Sequence, residues 1–241
     1  TPYTEDEAAR DQRLEQFVQQ RGMPLYFGGY LHDNGKDHNS FFFLSPHKPH
    51  GANLQVYRKH ILLLFGETIP GYESFPFLQK QFPQVGNFGR GPGPVVLEPD
   101  RRDPHATPLK IAPVICYEAL FSGYLLEGAR KGAQAIMNVT NDSWFGYYGE
   151  PELHLALSAF RSIEARLPLI RATNTGISAL ILQDGSIISP TRKSREEILL
   201  ATLPVTEPRK TLMLAWGDWF GGFALGCSIV LIGGGLLLRL Y

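Results

Sequence analysis

The sequence predicts a layered α/β sandwich followed by a transmembrane helix at the C-terminus. Three observations predict it. Apolar strand-like runs alternate with helical stretches along residues 4–203, the pattern of a layered α/β core. The 241 residues are 44% hydrophobic and 19% charged, enough to bury one large domain. Residues 219–238 then form a run of 20 without a single charge.

The elements follow in order. Residues 4–20 read as a helix: Thr4 can cap it, Glu5, Asp6 and Glu7 suit its positive end, and Leu14, Phe17 and Val18 form an apolar stripe. Strands are predicted at 23–30 and 40–44, separated by the polar turn HDNGKDHN, and again at 54–57. From 69 to 103 the chain is rich in Pro, Gly and aromatics, as in a lid or binding arm. An apolar strand at 109–116 ends on Cys116. A helix at 122–131, a strand at 135–139 and a helix at 152–164 come next. Strands at 169–172, 178–182 and 199–203 complete the domain, with a turn at Asp184 and Gly185.

The C-terminal run differs in kind. At a rise of about 1.5 Å per residue it reaches roughly 30 Å, the thickness of a bilayer's hydrocarbon core. Trp216, Trp219 and Phe220 sit where an interfacial aromatic belt belongs. Six glycines within it weaken a helix in water but permit close helix packing in lipid, and Gly222-x-x-x-Gly226 fits such a contact. The expected division is a domain over 1–213 and a span over 214–241.

Composition also excludes. Basic and acidic residues balance at 23 each, which argues against a nucleic-acid partner. Two cysteines, Cys116 and Cys227, give no disulfide framework, and seven scattered histidines give no metal-ligand spacing. No metal and no cofactor are expected.

The chemistry centres on Cys116. Read alone, a cysteine at a strand end is either a small buried hydrophobe or a nucleophile. Glu118 and Tyr117 beside it favour the second. Lys59 opens the run KHILLLFGE and Glu67 closes it; the lysine is either a solvated strand end or a catalytic cation. A cysteine acting on esters or amides needs a proton acceptor, a cation for the oxyanion and a carboxylate to organise both.

Four segments, YRKHILLLFGETIP, VICYEALF, NVTNDSWFG and RATNTGISALI, closely resemble apolipoprotein N-acyltransferases of the nitrilase superfamily. The likeness runs in order from about residue 24 to 219 and into the terminal helix. It implies a nitrilase-like α-β-β-α sandwich and a Glu–Lys–Cys triad. By motif, Cys116 is then the nucleophile, Lys59 supports the oxyanion and Glu67 orients Lys59. Tyr117 and Glu118 are supporting residues, and Trp144 either borders the acyl pocket or packs the loop. Leu64 stands where the family usually has proline. The family's general-base glutamate is expected upstream of Thr1, so the chain reads as a fragment, inactive alone.

The resemblance implies a phospholipid acyl donor, a diacylated lipoprotein acceptor and contact with membrane lipid. The implied place is the bacterial inner membrane, with the domain on the periplasmic face. Two other readings stay open: a carbon–nitrogen hydrolase acting on small amides or nitriles, and an inactive anchored domain that binds lipoproteins.

Overall fold

The structure is a computed structural model that describes residues 5–46, 53–71, 74–75, 77–98, 109–146, 148–205 and 209–239; the side chains of 5–11, 79, 144–145 and 234–239 lie outside the description. Thr4, the expected cap, is likewise outside it. Helix α1 (Glu5–Arg21) opens the chain and buries Val18. Strands β1 (Leu25–Asp33), β2 (Lys36–Leu44) and β3 (Leu54–Arg58) form an antiparallel sheet in that order. The eight-residue turn expected between the first two strands contracts to Asn34 and Gly35. Both have positive φ (51° and 74°), the two-residue hairpin turn that Asn-Gly favours, so His32 pairs with Asp37 and the strands extend into the polar stretch.

After a short helix, α2 (Phe77–Gln81), the chain enters a second sheet. Strands β4 (Ile111–Ile115), β5 (Ala135–Thr140) and β6 (Leu169–Thr173) are parallel; β7 (Ala179–Ile181) and β8 (Ile187–Ile188) add antiparallel pairings. Helix α3 (Ser122–Arg130) connects β4 to β5, and α4 (Glu150–Ala165) connects β5 to β6. β4 is buried along its whole length, as expected for a parallel strand covered on both faces. One face meets the first sheet: Phe41, Phe43 and Tyr57 pack with Ile111, Ile115 and Met137. The other meets the helices, with Ala112 and Val114 against Leu125, Leu126, Leu155 and Ala159. The order of layers is therefore sheet, sheet, helices.

The strand expected over 199–203 does not form. That stretch is irregular, and Ile198 and Leu200 are 90% and 88% exposed. Its apolar residues form a run, but among the described residues no neighbouring strand offers them a partner; the sheet ends at β8. Helix α5 (Leu212–Trp216) crosses the expected domain boundary. Its Met213 and Leu214 pack on the helical core, and Thr211 caps it. Helix α6 (Trp219–Arg239) covers the uncharged run, and Phe220, Leu225, Val230, Leu231 and Ile232 are all exposed. Among the described residues no helix is long and apolar enough to cross a membrane.

Candidate active site

β4 ends at Ile115, immediately before Cys116. The strand stops because the chain turns sharply: Cys116 adopts a left-handed backbone, φ 49°, and begins a 3-10 turn, Cys116–Leu120. A non-glycine residue in that region is strained and must be held by its surroundings. Glu118, two residues on, is fully buried and does much of the holding. Its Oε2 accepts from the Ile115 N–H at 2.9 Å. Its Oε1 accepts from the N–H groups of His60 (2.7 Å) and Ile61 (3.0 Å) and from the Tyr57 hydroxyl (2.6 Å). One carboxylate thus ties the Cys116 turn to the segment that carries Lys59. Burial pushes the Glu118 carboxyl up, and these donors oppose the shift. Burial and the neighbouring Glu118 charge also push the Tyr57 hydroxyl far up, so it remains a donor.

Lys59 follows the last residue of β3 and is 1% exposed. Its Nζ donates to both oxygens of Glu67, at 2.9 and 2.7 Å. Glu67 is placed by the FGE turn, where the Leu63 N–H donates to Oε2 at 2.8 Å and Asn39 Nδ2 donates to Oε1 at 2.9 Å. The loop from 86 to 91 closes over both: the Phe88 N–H donates to the Glu67 carbonyl and the Gly91 N–H to the Lys59 carbonyl. Gly91 has no alternative, because a Cβ there would lie 2.0 Å from the Arg58 carbonyl oxygen. Part of the proline- and glycine-rich region is therefore a clamp on the lysine. Leu64, at the family's usual proline, is exposed.

The Cys116 thiol is half-buried and free. Burial pushes it up from the ordinary thiol range. The Lys59 ammonium, the Thr140 hydroxyl and the Tyr117 backbone N–H pull it down without cancelling that rise. At neutral pH the sulfur is accordingly a thiol beside a cation, and reaction needs a base to take its proton. The structure brings Cys116, Lys59, Glu67 and Glu118 together. Tyr117 lies in the turn with its ring edge-on to Phe121 at 4.9 Å. Trp144 belongs to a 3-10 turn, Asp142–Phe145, but its side chain lies outside the described residues.

Behind Cys116 lies a charged network that sequence reasoning missed. Arg171, fully buried, donates to Asp142 Oδ2 (2.8 Å), Asn138 Oδ1 (2.7 Å) and the Ile177 carbonyl (3.2 Å). Asp142 Oδ1 accepts from the Thr140 hydroxyl at 2.8 Å. Burial raises the Asp142 carboxyl, but His154, Arg171 and Thr140 outweigh it and hold it below the usual carboxylate range. Asp142, Glu150 and His154 offer ligand atoms within 4.8 Å of one another, but Arg171 already shares the Asp142 carboxylate. A Cβ on Gly176 would meet Asp142 Oδ2 at 2.0 Å, which explains the glycine of RATNTGIS. The signal was present: Asp142 and Arg171 fall inside two of the quoted segments. A cavity of about 640 Å³ opens beside the end of the Cys116–Leu120 turn, lined by Phe121, Tyr124 and Arg161 among others, and reaches Asp218 before α6.

Comparison with known proteins adds a family. The carbon–nitrogen hydrolase family matches residues 2–211. An apolipoprotein N-acyltransferase of Bdellovibrio bacteriovorus is 39% identical over 212 residues, 84% of this chain and 38% of that protein. One of Chlorobaculum tepidum is 33% identical over 186 residues, 76% of this chain and 34% of its own length. The chain thus spans less than two-fifths of these relatives. Among solved structures, the NitN amidase of Neterenkonia sp. AN1 superposes with a TM-score of 0.59 at 16% identity, covering 83% of this chain and 70% of that one. Saccharomyces cerevisiae Nit3, of the nitrilase superfamily, gives 0.58 at 16% identity, covering 78% and 62%. At that identity the likeness speaks for the nitrilase-like α/β fold alone.

Proposed function

The chain belongs to the carbon–nitrogen hydrolase family, and on that premise we propose that it is the catalytic part of an apolipoprotein N-acyltransferase. One observation carries the reading: a buried lysine, held by both oxygens of Glu67, sets its charge against the thiol of Cys116 in a chain akin to proteins of that name.

Cys116 gives up its proton to a base, and the thiolate attacks the ester carbonyl of a phospholipid. Lys59 stabilises the oxyanion that forms, with Glu67 fixing the ammonium's position. Collapse breaks the ester bond, leaving an acyl thioester on Cys116 and releasing the lysophospholipid with the proton. The α-amine of a diacylglyceryl-cysteine then attacks the thioester, forms the amide and returns the thiol. Lys59 is engaged as an ammonium by Glu67, so it is not the base. Tyr117 and Glu118 act as supports.

Both substrates reside in a bilayer, and α6 is read as the membrane anchor. Its exposed apolar side chains support this, as does the cluster of Trp216, Trp219 and Phe220 at its start, whose rings meet edge-on at 5.8 Å. The cavity at the foot of α6 would then open at the membrane edge, with the domain on the periplasmic face of the bacterial inner membrane. The test is an assay in membranes containing the protein, with a diacylated lipopeptide and labelled phospholipid. Label should move to the peptide's N-terminal amine. Release as free fatty acid with the peptide unmodified would instead indicate a hydrolase.

A further inference from the structure

The buried network contains one group with no assigned task. His154, on α4, is 4% exposed, and its two ring nitrogens face different partners. Nε2 lies 3.3 Å from the carbonyl oxygen of Cys116. Nδ1 lies 3.3 Å from Asp142 Oδ1 and 3.5 Å from Glu150 Oε1, with neither aligned as a hydrogen bond. The charged groups around the ring are Asp142 from the turn after β5, Glu150 from its own helix and Arg171 from β6, which neutralises Asp142. A carbonyl oxygen can only accept, so a hydrogen bond across the 3.3 Å to Cys116 requires the ring's proton on Nε2.

That carbonyl belongs to the strained residue of the site. With φ at 49°, Cys116 has no backbone preference of its own for this conformation. We propose that His154 is a positioning residue for the nucleophile: its Nε2–H holds the Cys116 carbonyl, and through it the left-handed backbone that aims the thiol at Lys59. Without the anchor the peptide relaxes, its carbonyl swings away, and the sulfur leaves the field of the ammonium and the contact with Thr140. The inference rests on the reading of Cys116 as the nucleophile.

The test is alkylation of the intact chain in detergent by iodoacetamide, followed on the tryptic peptide 111–130, which contains Cys116 and not Cys227. His154→Leu should move the pH midpoint of alkylation up by about one unit, about tenfold less thiolate at neutral pH. His154→Gln, which keeps a donor, should retain most of the reactivity. A leucine variant that alkylates with the parental rate and midpoint overturns the proposal. So does a glutamine variant that loses as much as the leucine one. Should the leucine variant fail to fold, ¹⁵N spectra of the unmodified chain decide: Nε2 must carry a proton through the neutral range, and a bare Nε2 overturns the proposal. Cys116 that is inert in the parent chain would sink the proposed function, and the ring-nitrogen measurement would still decide this inference.

Discussion

Lys59 Nζ sits between the two oxygens of Glu67, 2.9 Å from one and 2.7 Å from the other, with the lysine almost wholly removed from solvent. A buried ammonium is tolerated only while its partner is present. Glu67→Ala should therefore cost about 3–5 kcal/mol of stability in urea unfolding. The double variant Lys59→Met with Glu67→Gln should cost less than Glu67→Ala alone, because no charge is left stranded. Equal costs would mean that the pair is not coupled.

The same ammonium acts on the sulfur. Burial already places the Cys116 thiol above the ordinary range, and Lys59 is the largest influence pulling it back. Removing the cation removes a lowering influence, so in Lys59→Met the alkylation profile of Cys116 should move to higher pH. A shift to lower pH, or none, would show that the two groups do not sense each other.

Glu118 gathers four donors from two chain segments. Glu118→Gln turns an N–H against one of those N–H groups, and about 1–3 kcal/mol should be lost per donor left unpaired. Tyr57→Phe removes a single hydroxyl and should be milder. Both variants should slow Cys116 alkylation, read alongside unfolding.

Asp142 gives a pH dependence with a definite sign. Its carboxyl is held below the usual range in the folded chain, so the unfolded chain binds a proton first as pH falls. The stabilisation is complete above about pH 4 and disappears as pH drops through the folded value. Asp142→Asn should be less stable than the parent at pH 7 by about 3–5 kcal/mol, since Arg171 stays buried without its counter-charge. That gap should narrow in acid. A constant gap would contradict the assignment.

The strands of the first sheet, β4 and the helices packed on the second sheet were legible in the sequence, because apolar periodicity is a local signal; the tight Asn34-Gly35 turn was not, being hidden in a polar stretch that reads as an eight-residue turn. Lys59, Glu67, Cys116 and Glu118 were legible through motif resemblance, and folding brings them together. His154 was not: it looked like one of seven scattered histidines, and its meaning depends on β4, β5 and α4 meeting in space. The loop over 69–103 was read as a lid, yet Phe88 and Gly91 clamp Glu67 and Lys59. Phe75, Phe77 and Phe82 are exposed. The strand expected over 199–203 does not form because an apolar run without a neighbouring strand has nothing to pair with.

The most direct measurement is the mass of peptide 111–130 from membranes containing the protein and phospholipid, quenched before any acceptor peptide is added. An acyl group on Cys116, labile to hydroxylamine and absent from Cys116→Ser, is the result this account predicts. Acyl transfer that persists in Cys116→Ser, or an acyl group found on another residue, would contradict it.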